Sequence, residues 1–170
     1  MRLFVCLAFF PGLLVFMLGG CSNGSKVDSL VGSLNKSNIQ RLSNLYNKYQ
    51  SQHDWVGPES MDVLKEYVRG LPETRLERMG VDVANLESLF ISERDGKEFV
   101  VRPGVQGSAM GSVQPVVFEQ DGLDGKWMVG FTSRPPREAS SKSEYDEWMN
   151  GNWQEPVAAQ RPGEDTRPEQ

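Results

Sequence analysis

The sequence predicts an α+β domain in which helices precede a small antiparallel sheet and one further helix follows it. Two observations support this fold class. Apolar residues recur at helical spacing from Ile39 to about Leu86, and from Leu89 onward the apolar residues lie in extended, strand-like runs. These runs flank Asp-Gly turns, which are a strong local signal for β-hairpins. We therefore expect N-terminal helices packed on a sheet of two β-hairpins, plus a C-terminal helix.

The first helix is predicted from Ser37 to about Gln52. Ser37 and Gln40 have the three-residue spacing of a capping box, in which each side chain bonds the backbone N–H of the other residue. The following apolar side chains share one helical face, with Leu45 beside them: Ile39, Leu42, Tyr46 and Tyr49. This stripe predicts an amphipathic helix that packs against the rest of the domain.

Two further helices and a single turn are predicted before the sheet. Pro58 suits the first position of a second helix, which ends at Gly70. A third, short helix is expected from Pro72 to Gly80, and Asp82 can cap one additional turn.

The first predicted hairpin pairs residues 90–94 with residues 97–102. Asp95 and Gly96 stand between these two runs, and this dipeptide favours a two-residue turn with positive backbone φ angles. We therefore expect two adjacent antiparallel strands here.

The second predicted hairpin pairs residues 116–119 with residues 126–132 after a Gly-rich loop at 103–114. The turn between these two strands is longer and contains two more Asp-Gly pairs. By two-residue alternation, one face of this hairpin should carry Trp127, Val129 and Phe131, opposed by Val116 and Phe118.

The C-terminal part is predicted to contain one more helix and a tail. Pro135-Pro136 is expected to end the sheet, and Ser143 is a candidate cap for the last helix. That helix carries Tyr145, Trp148 and Met149. We therefore predict a single α+β domain at 37–150 and a disordered tail, rich in Pro, Glu and Gln, at 151–170.

The N-terminus has the layout of an exported protein. Arg2 precedes an apolar stretch that is interrupted by Pro11-Gly12 and is shorter than the roughly 20 residues of a spanning helix. We therefore predict a signal peptide at 1–20, with an uncleaved membrane anchor as the less favoured alternative. The tetrad Leu18-Gly19-Gly20-Cys21 that ends this region resembles the lipobox of bacterial lipoproteins.

The lipobox resemblance implies lipidation at Cys21. In that family the cysteine thiol receives a diacylglyceryl group and becomes the new N-terminus, so acyl chains such as palmitate anchor the protein to a membrane. Residues 21–36 would then form a lipidated tether. Ser22 stands where the enteric sorting rule requires Asp for inner-membrane retention, which indicates the outer membrane, with the protein facing the periplasm. Cys6 would leave with the signal peptide, so no intrachain disulfide is expected.

The composition limits the class of partner. The chain has 170 residues and a formal net charge of -5 at pH 7, and removal of the signal peptide takes away one basic residue and no acidic residue. A single, modest, acidic domain without a basic block argues against a nucleic-acid partner or an anionic lipid surface. The expected partners are therefore the membrane, through the N-terminal lipid, and an envelope protein.

Two sets of residues carry a resemblance to bacterial exported proteins. One set looks like the helix-to-loop region of pseudopilin-like exported proteins abundant in Planctomycetes: residues 38–42, Tyr46, Tyr49, His53 and Gly57-Pro58. The other set is similar to small lipoproteins of those bacteria: residues 89–96, residues 115–119 and Asp124-Gly125-Lys126. The resemblance covers roughly residues 37–132 and implies a location and a fold but no activity. The pilin-type cleavage site and long apolar helix are replaced here by the lipobox.

Candidate catalytic residues are few. His53 is the only histidine, so it could serve as a general base with Asp54 or as a metal ligand, but a loop or cap role is favoured because multi-histidine sites are excluded. Ser108 lies in the Gly-rich loop 104–111, yet Gln106 and Met110 occupy the positions where a nucleophile elbow has glycines. We therefore favour a flexible connection over a hydrolase site.

Two other sets of side chains were candidates for binding. Asp121 and Asp124 could suggest calcium, but turn chemistry explains both residues, and we predict no metal and no cofactor. Trp55, Trp148 and Trp153 could form an exposed recognition surface, or they could cover the sheet.

Three functions therefore remain in view. The leading hypothesis is a non-enzymatic, lipid-anchored cell-envelope protein with a protein-interaction or structural role. The first alternative is an envelope hydrolase or ligand-binding protein that uses the loop 104–111 with Ser108 or His53. The second alternative is a pseudopilin-related secretion subunit, in which the helix from Ser37 packs on the sheet.

Overall fold

The computed structural model describes residues 37–154, and within them the α+β fold class is confirmed. The helices are α1 (Asn38–Gln52), α2 (Met61–Arg69), α3 (Glu73–Arg78) and α4 (Lys142–Met149), with a 3-10 helix at Val83–Phe90. The strands are β1 (Val100–Val101), β2 (Pro115–Phe118), β3 (Trp127–Phe131) and β4 (Arg134–Ala139). The predicted signal peptide 1–20, Cys21, the tether 21–36 and most of the tail lie outside the described residues.

The four strands form one antiparallel sheet in the order β1-β2-β3-β4. The hairpin β2-β3 is confirmed, with Phe118 paired to Val129 and Pro115 paired to Phe131. The other hairpin is β3-β4, which the sequence did not predict. Each strand therefore pairs with its neighbour in the chain, and the sheet is a meander.

The predicted hairpin around Asp95-Gly96 forms only as a short antiparallel pairing, and residues 90–98 contain no regular strand. Ile91 and Glu98 form an isolated antiparallel bridge, and two backbone hydrogen bonds flank it, from the Phe99 N–H to the Phe90 carbonyl and from the Ser92 N–H to the Lys97 carbonyl. The turn is closed by the Gly96 N–H, which donates to the Ser92 carbonyl. Gly96 has a φ of 68°, whereas Asp95 is not among the residues with positive φ, so the two-residue turn that needs both is absent. Side-chain hydrogen bonds shape the turn itself, because the Ser92 hydroxyl accepts from the N–H groups at positions 94 and 95.

The prediction that Pro135-Pro136 ends the sheet is also wrong, because both prolines lie inside β4. β4 is the last strand at one edge of the sheet and pairs only with β3. An edge strand has one side without a ladder, so the missing N–H groups of proline are tolerated there.

Helix α1 keeps its predicted cap Ser37 with half of the capping box, and two other helices begin at caps that were not predicted. The Ser37 hydroxyl accepts from the Gln40 N–H at 3.4 Å, but the Gln40 side chain donates to Asn44 and Arg134, so only half of the capping box forms. Helix α2 begins after Ser60, whose hydroxyl accepts from the backbone N–H at position 63, and Pro58 is therefore not its first residue. In the same way Ser141, and not the predicted Ser143, caps helix α4.

Two smaller helical predictions are close to the structure. Pro72 is the N-cap of α3, which ends before the predicted stop at Gly80. The Asp82 carboxylate accepts from the Ala84 N–H at 3.1 Å, as a cap should. The 3-10 helix continues to Phe90, one turn beyond the predicted end.

The core consists of two clusters on opposite faces of the sheet. Helix α1 covers one face, where Gly130 lies under Ser43 and Ile39. Helix α4 covers the other face through Tyr145 and Trp148. That second cluster contains Phe118, Val129, Phe131 and Ala139, whereas the predicted partner Val116 belongs to the first cluster. Because both faces are covered, surfaces available for function lie mainly at helix ends and loops.

None of the helices in the described part of the chain has the length and apolar character that crossing a membrane would require.

Candidate binding groove

An open groove of ≈ 360 Å³ lies where helices α1 and α2 end. Its lining comes from the last turn and C-cap of α1, from one face of α2 with its C-cap, and from the residue after that cap: Tyr49, His53, Val63, Glu66, Tyr67, Gly70 and Leu71. Three of these seven side chains are aromatic rings. The groove therefore combines flat apolar surface with polar atoms at two helix termini.

The three rings form a defined cluster. Tyr49 and His53 are stacked, with centroids 3.8 Å apart and planes 5° from parallel. The Tyr67 ring is nearly perpendicular to both, at 85° to the Tyr49 ring and 82° to the His53 ring, with centroid distances of 5.2 Å and 6.1 Å. The four-residue spacing on one helix places Tyr49 and His53 on the same face, one turn apart, which explains the stack. Tyr67 comes from α2, so packing of the two helices completes the cluster.

Hydrogen bonds hold the His53 and Tyr67 rings in place. The His53 Nδ1 lies 2.8 Å from the Tyr49 carbonyl oxygen. Since a carbonyl only accepts, Nδ1 carries the proton, and in the neutral ring Nε2 is left as an acceptor. The Tyr67 hydroxyl donates to the Gln52 Oε1 at 2.7 Å. The polar atoms presented by these two side chains are therefore acceptors.

Burial raises the pKa of Tyr67, and the positive charge of Arg75 acts in the opposite direction. The phenol of Tyr67 is therefore neutral at physiological pH. Glu66, which is exposed, is the one carboxylate in the lining.

His53 is the C-cap residue of α1 and is exposed, in agreement with the favoured cap interpretation. Its partners are Tyr49 and Tyr67 and not a catalytic neighbour. From the sequence, Tyr49 and Tyr67 were expected on apolar helix faces, and the groove was not predicted. The four-residue spacing of Tyr49 and His53 was the available signal for the stack, whereas the contribution of Tyr67 depends on helix packing.

The Gly-rich loop 104–111 is tied to the end of α1. The Gln50 amide donates to the Val105 carbonyl at 2.7 Å, and the Gly107 N–H donates to the Trp55 carbonyl at 2.7 Å. The Ser108 hydroxyl accepts from the Met110 N–H. Across residues 37–154 no hydrogen bond joins Ser108 to His53, so the structure does not assemble the two residues of the hydrolase hypothesis into a catalytic pair.

The aspartates of the β2-β3 turn have roles in its backbone structure. Asp124 has a φ of 53°, and the Asp121 backbone N–H donates to the Asp95 carboxylate at 3.0 Å. Among the described residues no group of three or more His, Cys, Asp or Glu is placed to hold a metal ion.

The tryptophans divide between core and loop. Trp148 is buried, and Trp153 packs on Phe131 with centroids 4.6 Å apart and on Trp148 with centroids 5.1 Å apart. Trp148 and Trp153 therefore cover the sheet, as the second interpretation proposed. Trp55 is half-buried with a φ of 64°, and its carbonyl bonds the Gly-rich loop.

Glu119 is a buried carboxylate with a full set of partners. It accepts from the Ser92 hydroxyl at 2.9 Å and from the Met128 N–H at 2.7 Å, and Arg94 lies 3.5 Å away. A buried carboxylate bonded in this way ties the Ser92 turn to the sheet. Its arrangement is structural, and the groove remains the candidate site.

Comparison of the chain with protein-family models, curated proteins and solved structures finds no match.

Proposed function

We propose that the protein is a lipid-anchored, non-enzymatic cell-envelope protein whose α+β domain binds another protein near the membrane. The observation that carries the proposal is the ring cluster of Tyr49, His53 and Tyr67, which borders solvent at the end of two helices. Rigid aromatic side chains at an open groove are typical anchors of protein–protein interfaces. The lipobox-like tetrad ending at Cys21 supports the location.

The predicted tether limits where a partner can lie. A Gly- and Ser-rich segment of about 16 residues has a root-mean-square end-to-end distance of roughly 20 to 24 Å, and at full extension it reaches roughly 55 Å. A groove on the domain at the end of such a tether would meet proteins that lie close to the same membrane. Tethering also raises the effective concentration of the domain at that surface.

The anchor is tested by the substitution Cys21→Ser. We expect the variant to accumulate as an unprocessed precursor that takes up no radiolabelled palmitate. Cys6→Ser is the matched control, because it changes the cysteine inside the predicted signal peptide and should leave processing and labelling intact. Continued acylation of the Cys21→Ser protein would refute lipidation at this residue.

The binding function is tested by crosslinking in intact cells. A diazirine side chain placed at Val63 lines the groove, whereas one placed at Glu147 lies exposed on α4, on the other side of the sheet. We expect a discrete adduct from position 63 that position 147 does not give, identified by mass spectrometry. Identical adducts from both positions, or none from position 63 in any growth phase, would contradict a groove-mediated interaction.

One observation favours the pseudopilin-related subunit as a second candidate. Helix α1 packs on a face of the antiparallel sheet, with Ser43 and Ile39 over Gly130, which that hypothesis expects of the helix from Ser37. The discriminating experiment is isolation of surface filaments from cells that express the tagged protein. Enrichment of the protein in the filament fraction would favour the secretion subunit, and its exclusion would favour the tethered binding domain.

A further inference from the structure

The C-terminal ends of two helices lie at the groove, so the negative ends of their dipoles face it. α1 has 15 residues and no basic residue in its last turn, so the negative end of its dipole is not compensated by a cation of its own. α2 also ends at the groove, and Arg69 in its last turn is paired with Glu87 at 2.6 Å. The lining adds the carboxylate of Glu66.

The polar atoms and ring faces of the groove also favour a positively charged ligand. In the His53 tautomer that carries its proton on Nδ1, Nε2 is an acceptor, and the Tyr67 oxygen, whose proton is donated to Gln52, can accept as well. The faces of aromatic rings attract cations through their quadrupole. Acceptors, π faces and a carboxylate together complement a positively charged group that carries several N–H donors.

Basic side chains of α2, which lies along the groove, are paired with carboxylates outside the groove. Lys65 pairs with Glu98 and lies over the Phe90 ring at 5.5 Å. Arg75 of α3 differs, because its charge acts on the pKa of Tyr67. A cation entering the groove would therefore be attracted by Glu66 and repelled by Arg75, which gives two substitutions with opposite expected effects.

We propose that the groove of Tyr49, His53, Glu66 and Tyr67 binds an arginine or lysine side chain of the partner protein. This inference rests on the proposed function, since it identifies the part of the partner that the groove recognises. The side chain would lie against the aromatic rings, with its charged end near the Glu66 carboxylate. Arginine fits best, because its planar guanidinium stacks on rings and presents five N–H donors.

The experiment uses the purified, lipidated protein in detergent micelles and two short peptides. Acetyl-Gly-Arg-Gly-amide carries the guanidinium, and acetyl-Gly-citrulline-Gly-amide has nearly the same shape without the charge. His53 is the only histidine, so its ring proton signals in the NMR spectrum report directly on the groove. We expect saturable shifts of these signals with the arginine peptide, at a Kd at least roughly tenfold lower than with the citrulline peptide.

Matched charge variants decide where the cation binds. Glu66→Gln should weaken binding of the arginine peptide by about three- to fivefold, and Arg75→Gln should tighten it by a similar factor. Glu147→Gln removes the same charge as Glu66→Gln on the exposed side of α4 and should leave the Kd unchanged. Equal affinity for the two peptides, or an equal effect of Glu66→Gln and Glu147→Gln, would overturn the proposal.

The result separates this inference from the proposed function. A position-63 adduct in cells, together with no preference for the arginine peptide, would leave the binding function in place and refute the cationic ligand. Specific binding of the arginine peptide without any cellular adduct would refute the protein partner and retain the cation site.

Discussion

The backbone of Gly130 in β3 lies directly beneath the Ser43 hydroxyl of α1, so close that a Cβ at position 130 would overlap that oxygen. The same Cβ would also stand 3.1 Å from a side-chain carbon of Ile39. This glycine therefore sets the distance between the first helix and the sheet, and a larger residue would separate the two layers.

Gly130→Ala should lower the free energy of unfolding by about 2 to 3 kcal/mol, because overpacking forces the helix away from the strand. Urea unfolding followed by circular dichroism measures the change. Gly70→Ala is the matched control: its φ is -80° and a Cβ there would meet only ordinary contacts at 3.5 Å, so stability should change by less than about 1 kcal/mol. Equal losses in the two variants would contradict close packing at Gly130.

Buried tyrosines predict a loss of stability at alkaline pH. Burial raises the pKa of Tyr46 from 10.0 to about 12, and its hydroxyl donates to the Arg102 carbonyl at 2.7 Å. Burial likewise raises the pKa of Tyr145 to about 12, and nearby carboxylates add to the effect. Between pH 10 and 12 the unfolded chain loses these protons while the folded chain retains them, so the free energy of unfolding falls as pH rises.

For Tyr46 the alkaline loss should amount to roughly 2 to 3 kcal/mol by pH 12. Tyr46→Phe should be less stable at pH 7, because it loses the bond to Arg102, but its stability should decline less steeply above pH 10. Urea unfolding at a series of pH values from 8 to 11.5 measures both effects. A Tyr46→Phe protein with the same alkaline slope as the unchanged protein would refute the assignment.

Asp95 predicts the opposite dependence at acid pH. Its burial disfavours ionisation, but backbone N–H groups of Lys97, Asp121 and Gly122 donate to the carboxylate and outweigh burial, so the pKa of Asp95 lies below its usual value of 3.8. The stability that the ionised group contributes is present above pH 3.8 and is lost as the pH falls below it. Asp95→Asn should cost about 1 to 2 kcal/mol at pH 7 and flatten the acid decline.

Asp124→Asn is the control for that substitution. Asp124 is exposed and has a φ of 53°, a conformation that Asn adopts as readily as Asp, so its stability should stay within about 0.5 kcal/mol. Thermal unfolding at pH 7 and pH 3 compares the two proteins. If Asp95→Asn loses no more stability at pH 7 than Asp124→Asn does, the three hydrogen bonds do not stabilise the fold.

The sequence predicted those elements whose signals are local. Helix α1 has its cap and its apolar stripe within about 15 residues, and the hairpin β2-β3 has apolar runs on both sides of a turn that contains two glycines. The segment 90–98 has the same local signals, but its turn residue Asp95 bonds the backbone at positions 121 and 122. Contacts at that separation in the chain have no local pattern, so the sequence did not predict that the pairing here would stay short.

The sequence did not predict the edge strand β4 or the groove, because both depend on how separate elements pack together. Pro135 and Pro136 stop a central strand, and only the position of β4 at the sheet edge makes them compatible with pairing. In the groove, the stack of Tyr49 and His53 follows from helical spacing alone. Tyr67 joins the stack only because α2 packs beside the end of α1, which the sequence does not specify locally.

Trp153 extends the folded unit beyond the predicted boundary at residue 150. Its ring packs on Phe131 and Trp148, and the Arg137 guanidinium lies 5.5 Å from its centroid. A protein that ends at residue 150 should therefore lose about 2 to 3 kcal/mol of stability, whereas one that ends at residue 154 should stay within about 0.5 kcal/mol. Urea unfolding of the two truncated proteins measures this, and equal stability would show that Trp153 contributes nothing to the core.

Substitutions at Trp153 identify which part of the side chain matters. The indole N–H is buried and has no hydrogen-bond partner within the described residues, so only ring packing contributes to stability. Trp153→Phe retains an aromatic ring and removes the unpaired N–H, and it should cost less than about 1 kcal/mol. Trp153→Ala leaves Phe131 and Trp148 without their neighbour and should approach the loss of the truncation at residue 150. Similar losses for Phe and Ala would contradict the expectation that an aromatic ring at this position is enough to stabilise this end of the domain.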